Sequence, residues 1–102
     1  LMLVQFSVVP LGRGESISAQ VAKILDLVDG SGLAYRLTPM GTIVEGEWDE
    51  VMALVGKCHR EALKGAPRAL TTITIDDRPG KPDRITGKVR SVEAKLGRAL
   101  KT

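Results

Sequence analysis

Leu33-Ala-Tyr-Arg-Leu-Thr-Pro-Met-Gly-Thr-Ile-Val-Glu-Gly-Glu-Trp-Asp-Glu-Val51 is the stretch whose reading decides the fold. Two short alternating runs, 34–38 and 42–46, flank Pro39, Met40 and Gly41, and such a turn between alternating runs predicts a β-hairpin. Glu47, Asp49 and Glu50 follow, where the positive end of a helix favours carboxylates. Trp48, Val51, Val55, Cys58 and Ala62 then recur at helical spacing, so a helix is predicted over 48–64, with Gly65 after it.

Working toward the N-terminus, the apolar, β-branched run 2–9 ends at Pro10 and reads as a buried strand, with Met2, Val4, Phe6 and Val8 on one face and Leu3, Gln5, Ser7 and Val9 on the other. Ser16 is the expected N-cap of a helix carrying Ile17, Val21, Ile24, Leu25 and Val28, stopped by Gly30 and Gly32. Toward the C-terminus, 68–76 alternates as a last strand, with Ile73 and Ile75 opposite Thr72, Thr74 and Asp76. A turn-rich segment from Arg78 leads to a predicted helix over 88–101, with Val89, Val92, Leu96, Ala99 and Leu100 on its stripe.

The element order is β-α-β-β-α-β-α. This α+β pattern predicts a ferredoxin-like βαββαβ sandwich, a four-stranded antiparallel sheet with two helices on one face, followed by a C-terminal helix. The other face should carry Gln5, Ser7, Thr72 and Thr74 beside Leu3, Val9, Leu70 and Val44, too apolar to be left in water. The C-terminal helix or a second subunit is expected to cover it, and a homo-oligomer is expected.

Pairing Leu37 with Ile43 on one core face gives a hairpin register in which Thr38 opposes Thr42 and Tyr35 opposes Glu45. Glu45 would then point at the two covering helices. A carboxylate there needs a hydrogen bond, a counter-charge or a ligand, and capping of the amides of the second helix is an equally open reading. Other constellations are weaker. Cys58 and His59 point about 100° apart on a helix and cannot form a dyad, with Cys58 expected inside and His59 outside. One Cys and one His cannot make a zinc site, and Asp76 and Asp77 face opposite ways on a strand. Gly12-Arg-Gly-Glu-Ser-Ile17 lacks the third glycine of a dinucleotide fingerprint and the lysine of a P-loop, and reads as a capped turn. Trp48 is expected in the core.

The 102 residues form one expected domain, 1–102, because a chain of this size supports a single core. At 43% hydrophobic and 26% charged, it has the balance of a globular protein and not of a disordered one. The absence of a long apolar run and of a leader predicts a cytoplasmic protein that does not enter membranes. Met2 is expected to begin the natural chain. A lone cysteine fits a reducing compartment. The net charge of +3 is uneven: eight basic and two acidic residues lie from Arg78 onward, against seven and ten before it. That basic end is expected to be a solvated helix face; the strand faces lack the aromatics of an RNA platform, so no nucleic-acid partner is expected.

The segments Ser7-Val-Val-Pro-Leu-Gly12, Ser31 to Gly46, Trp48-Asp-Glu-Val-Met52, Ile75-Asp-Asp-Arg78 and Lys88-Val-Arg-Ser-Val92 resemble the family of small thiamine-binding proteins over nearly the whole chain. The resemblance implies a ferredoxin-like fold, tetramers assembled from dimers, and binding of thiamine or its hydroxymethylpyrimidine part without known catalysis. Positions matching it include Thr38, Met40, Thr42 and Glu45. By residue type, a carboxylate and hydroxyls suit an aminopyrimidine edge, while Tyr35, Met40 or Trp48 could wall the thiazolium. The expected ligand residues are therefore Tyr35, Thr38, Met40, Thr42 and Glu45, with no catalytic residue, metal or separate cofactor. The expectation is a non-enzymatic binding protein, and the rival reading is a structural or regulatory oligomerisation domain.

Overall fold

The computed structural model describes residues 1–12, 18–80 and 84–102. Its order is β1 (Met2–Leu11), α1 (Ser18–Asp29), β2 (Ala34–Thr38), β3 (Gly41–Gly46), α2 (Trp48–Leu63), β4 (Arg68–Asp77) and α3 (Arg84–Leu96). The strands form one antiparallel sheet in the order β2-β3-β1-β4, the ferredoxin-like arrangement that the sequence pattern predicts. Ser16 and Ile17 lie outside the described residues, as do Arg13 and Glu15 of the preceding loop.

One face of the sheet is closed by α1 and α2, which pack on each other. Met2, Val4 and Phe6 from β1 meet Val44 from β3, Ile24 and Val28 from α1, and Val51, Leu54, Val55, Cys58 and Ala62 from α2. The helix periodicity selects these positions apart from Leu54, which the predicted stripe does not include, and it wrongly adds Trp48, which is 55% exposed. It is the first residue of α2, so its side chain lies beyond the edge of the packed layer. The buried Gln20 donates from Nε2 to the Glu61 carbonyl at 2.5 Å, tying α1 to the last turn of α2.

β1 and β4 run together for ten pairs, from Met2↔Asp77 to Leu11↔Arg68, whereas β3 accompanies β1 only from Met2 to Phe6. Beyond Phe6 the two long strands continue as a ribbon bonded on one side only. That allows Pro10, which donates no backbone hydrogen bond, to extend β1 past the predicted stop. The radius of gyration of 15.2 Å exceeds the ~13 Å of a compact 100-residue domain. At the end of the ribbon Gly12 has φ +88, and a Cβ there would come within 2.6 Å of Pro67 Cγ, so the position needs glycine.

The hairpin register differs by one residue from the expected one. Thr38 pairs with Gly41, Leu37 with Thr42, Arg36 with Ile43, Tyr35 with Val44 and Ala34 with Glu45. Pro39 and Met40 form a two-residue turn, which Thr38 fixes: its hydroxyl donates to the Gly41 carbonyl at 2.8 Å and accepts from the Gly41 amide at 3.1 Å and the Met40 amide at 3.2 Å. Turn length sets register. Leu37 and Ile43 therefore lie on opposite faces, Thr42 faces α1 and α2, and Glu45 faces away from them. Val44, expected on the second face, is fully buried in the core.

The second face is covered at one end by α3, as expected, but the helix starts four residues earlier than predicted and ends at Leu96. Gly97, at φ +71, closes it through its amide bond to the Glu93 carbonyl at 2.8 Å. Ala99 and Leu100 thus lie past the helix, not on its stripe; the Leu100 amide returns to Glu93 Oε2 at 2.6 Å. No residue of α3 is buried.

Candidate functional site

The hairpin turn, β1 and the outer side of α1 enclose a cleft of about 260 Å³. Phe6 and Val8 come from β1, Leu37, Met40 and Thr42 from the hairpin, and Val21 and Leu25 from α1. The volume lies just below the roughly 300–1,000 Å³ of sites for drug-sized molecules, and suits one small ring. No charged side chain lines it among the described residues. Met40, 83% exposed at the turn, stands at its rim.

Thr42 is the polar group that matters in this cleft. Register turns it inward between Phe6 and Leu37, and it is only 7% exposed. Among the described residues its hydroxyl makes no side-chain hydrogen bond, so its donor and acceptor are left to water or to a ligand at the cleft.

The other expected site residues are dispersed. Thr38 lines the cleft, but the turn uses its hydroxyl. Tyr35 faces the helices, yet its hydroxyl donates to Asp29 Oδ1 at the end of α1, 2.5 Å away, and this bond raises the phenol pKa above its ordinary value. Glu45 is buried on the opposite face, where its Oε2 accepts the Arg84 amide at 2.7 Å. It caps the N-terminus of α3, not that of α2 as in the alternative reading, so the carboxylate finds its partner within the fold. The sequence reading missed Val21 and Leu25 as cleft walls; their place on the exposed edge of the α1 stripe is the signal that could have marked them.

Nucleophilic chemistry finds no support at Cys58. Its Sγ is buried, directed to the Ile24 carbonyl at 3.9 Å, and burial pushes the thiol up to about 11, so it stays protonated near neutrality. His59, expected outside the stripe, is half-buried, with Nδ1 2.6 Å from Thr71 Oγ1. Among the described residues no group of three His, Cys, Asp or Glu side chains could hold a metal, and no helix is long and apolar enough to cross a membrane. Asp76 pairs with Lys88 of α3, which holds its carboxyl below the usual range. A broader groove of about 380 Å³ lies between α1 and α2, but Asp26, Glu50 and Lys57 on its walls are readily hydrated.

A family model described as thiamine-binding protein matches residues 4–93, a span that includes the hairpin, the cleft and most of α3. The chain belongs to this family. A UPF0045 protein of Mycobacterium bovis is 42% identical over 96 residues, covering 93% of this chain and 94% of its own length. The UPF0045 protein ECM15 of Eremothecium gossypii is 38% identical over 96 residues, covering 92% and 91%. Among solved structures, a hypothetical protein of Methanocaldococcus jannaschii superposes with a TM-score of 0.82 at 28% identity, over 89% of this chain and 94% of that one. A Thermotoga maritima protein, described as a candidate thiamine biosynthesis/salvage protein, gives 0.77 at 26% identity, over 89% and 97%.

Proposed function

We propose that this family member is a non-catalytic cytosolic binding protein for thiamine or its hydroxymethylpyrimidine part, and that the ring enters the cleft between the β2–β3 hairpin and α1. The observation that carries this reading is the Thr42 hydroxyl, which belongs to a residue only 7% exposed and makes no side-chain hydrogen bond among the described residues, at the edge of an otherwise apolar and uncharged cleft. A hydroxyl can accept from an exocyclic amine or donate to a ring nitrogen, and the apolar walls take the ring faces. Met40, soft and exposed at the rim, is placed to contact whatever projects from the ring. Family membership supports the ligand class. Glu45 and Thr38 act structurally in this reading, as does Tyr35. Neither a separate cofactor nor a metal is needed.

The protein acts as a homo-oligomer, a dimer of dimers. Leu70, Ile73 and Ile75 on the outer strand β4 and Val92 and Leu96 on α3 are each more than a third exposed, which is costly for a chain this small. The same surfaces favour the second reading, an oligomerisation domain without a vitamin ligand. Calorimetry with thiamine and hydroxymethylpyrimidine separates the two. Saturable binding that Thr42→Val weakens about tenfold is the expected result, and no heat at millimolar ligand would leave the oligomerisation domain standing. Light scattering should give a dimer or tetramer; a monomer at micromolar concentration contradicts the assembly.

A further inference from the structure

On the far face of the sheet, Arg36 from β2 and Arg90 from α3 line one cavity of about 240 Å³, together with Thr86, Val89, Glu93 and Thr102. Among the described residues neither guanidinium makes an ion pair or a side-chain hydrogen bond, and neither does the Thr86 hydroxyl. The nearby acids have partners of their own: Asp76 holds Lys88, Glu45 holds the Arg84 amide, and Glu93, on the cavity wall, takes the Leu100 amide on Oε2 at 2.6 Å. Two permanent cations from separate elements repel across a shared cavity unless an anion lies between them. We propose that this cavity binds a phosphate-class oxyanion, held by Arg36 and Arg90 from two directions with Thr86 as a hydroxyl donor.

Phosphate fits better than a carboxylate because two guanidinium forks and a hydroxyl can reach several oxygens of a tetrahedral group, whereas a planar carboxylate fills one fork. Glu93 and Thr102 share the cavity with the two guanidinium groups, so binding depends on the forks reaching the oxygens and is weakened by salt. The site lies across the sheet from the hairpin cleft and stands or falls independently of the ligand proposed there.

The test titrates inorganic phosphate into the full chain at low salt, following the arginine Nε–Hε resonances by NMR, with acetate in parallel. The Arg36 and Arg90 signals should shift together and saturably at one phosphate per chain. Affinity should fall about tenfold in Arg36→Gln and in Arg90→Gln and remain unchanged in Lys95→Gln, an exposed position on the same helix. Circular dichroism verifies that the variants are folded, and Arg36→Lys, which keeps charge but loses the fork, should fall between wild type and Arg36→Gln. Absence of a saturable shift overturns the proposal. So does an equal loss in Lys95→Gln, which would mark a diffuse basic helix, or binding of acetate as tight as that of phosphate.

Discussion

On the face covered by α1 and α2, Val4, Val28, Val44 and Val51 are fully excluded from solvent, and the Thr42 hydroxyl, without a side-chain hydrogen bond among the described residues, lies at the edge of a cleft. On the face covered by α3 no helix residue is buried, and the helix is attached through Glu45 to the Arg84 amide and Asp76 to Lys88. The first face derives its stability from apolar burial, about 1.5–3 kcal/mol for each fully buried aliphatic side chain. The second is joined by polar links that water and salt can replace. The contrast teaches where each kind of function can sit: a rigid apolar layer can shape a cleft for a ring, while a loosely held helix over a polar sheet face can gather charges.

The largest expected effect sharpens that contrast. Phe6→Ala, which empties the floor of the core and of the cleft, should cost about 3–5 kcal/mol in urea unfolding. Leu70→Ala on the other face, where the side chain is 52% exposed, should stay within about 0.5 kcal/mol. Equal costs would mean that the second face is packed as tightly as the first. Next, Gly12→Ala should cost about 2 kcal/mol through its positive φ and the approach to Pro67. A neutral result would show that the end of the β1–β4 ribbon can rearrange.

Glu45→Gln should come third. The amide oxygen can still accept from Arg84, so about 1 kcal/mol is lost with the charge at the helix N-terminus. The loss should appear as faster amide exchange confined to α3, with ligand affinity changed less than twofold. Unchanged stability with a tenfold loss of affinity would instead return Glu45 to the ligand. This is the residue on which sequence and structure diverge most. Strand and helix spans were legible because periods of two and of 3.6 are written in the apolar positions, and the core followed from them. Register was not, because pairing Leu37 with Ile43 by apolarity ignores that Thr38 closes a two-residue turn and that Ile43 can be half-buried beside Leu3 on the α3 face. One residue of slip exchanged Thr42 and Glu45 between the faces. The first turn of α3, which contains Gly87, lies outside the predicted span 88–101, because the apolar stripe used to place the helix begins only at Val89.

The smallest effects are with pH. Cys58 holds its proton more tightly folded than unfolded, so its contribution is complete below the ordinary thiol pKa of ~8.5 and lost as pH rises toward about 11. Unfolding free energy should therefore decline less steeply over that window in Cys58→Ala than in wild type. At the acid end Asp76 is shifted the other way by Lys88, so its contribution is present above the ordinary carboxyl pKa and lost as pH falls through the lowered folded value. Lys88→Gln should flatten that part of the acid profile, and an unchanged profile would show that the pair is fully screened.

The most direct test of the central claim is to map the ligand by amide and methyl NMR during a titration with hydroxymethylpyrimidine. Shifts should converge on Val21, Leu25, Leu37, Met40 and Thr42, and leave Glu45 and the start of α3 unmoved. Shifts centred on Leu3, Gln5, Ile43, Thr74 and Asp76 would place the ring on the other face and contradict the account.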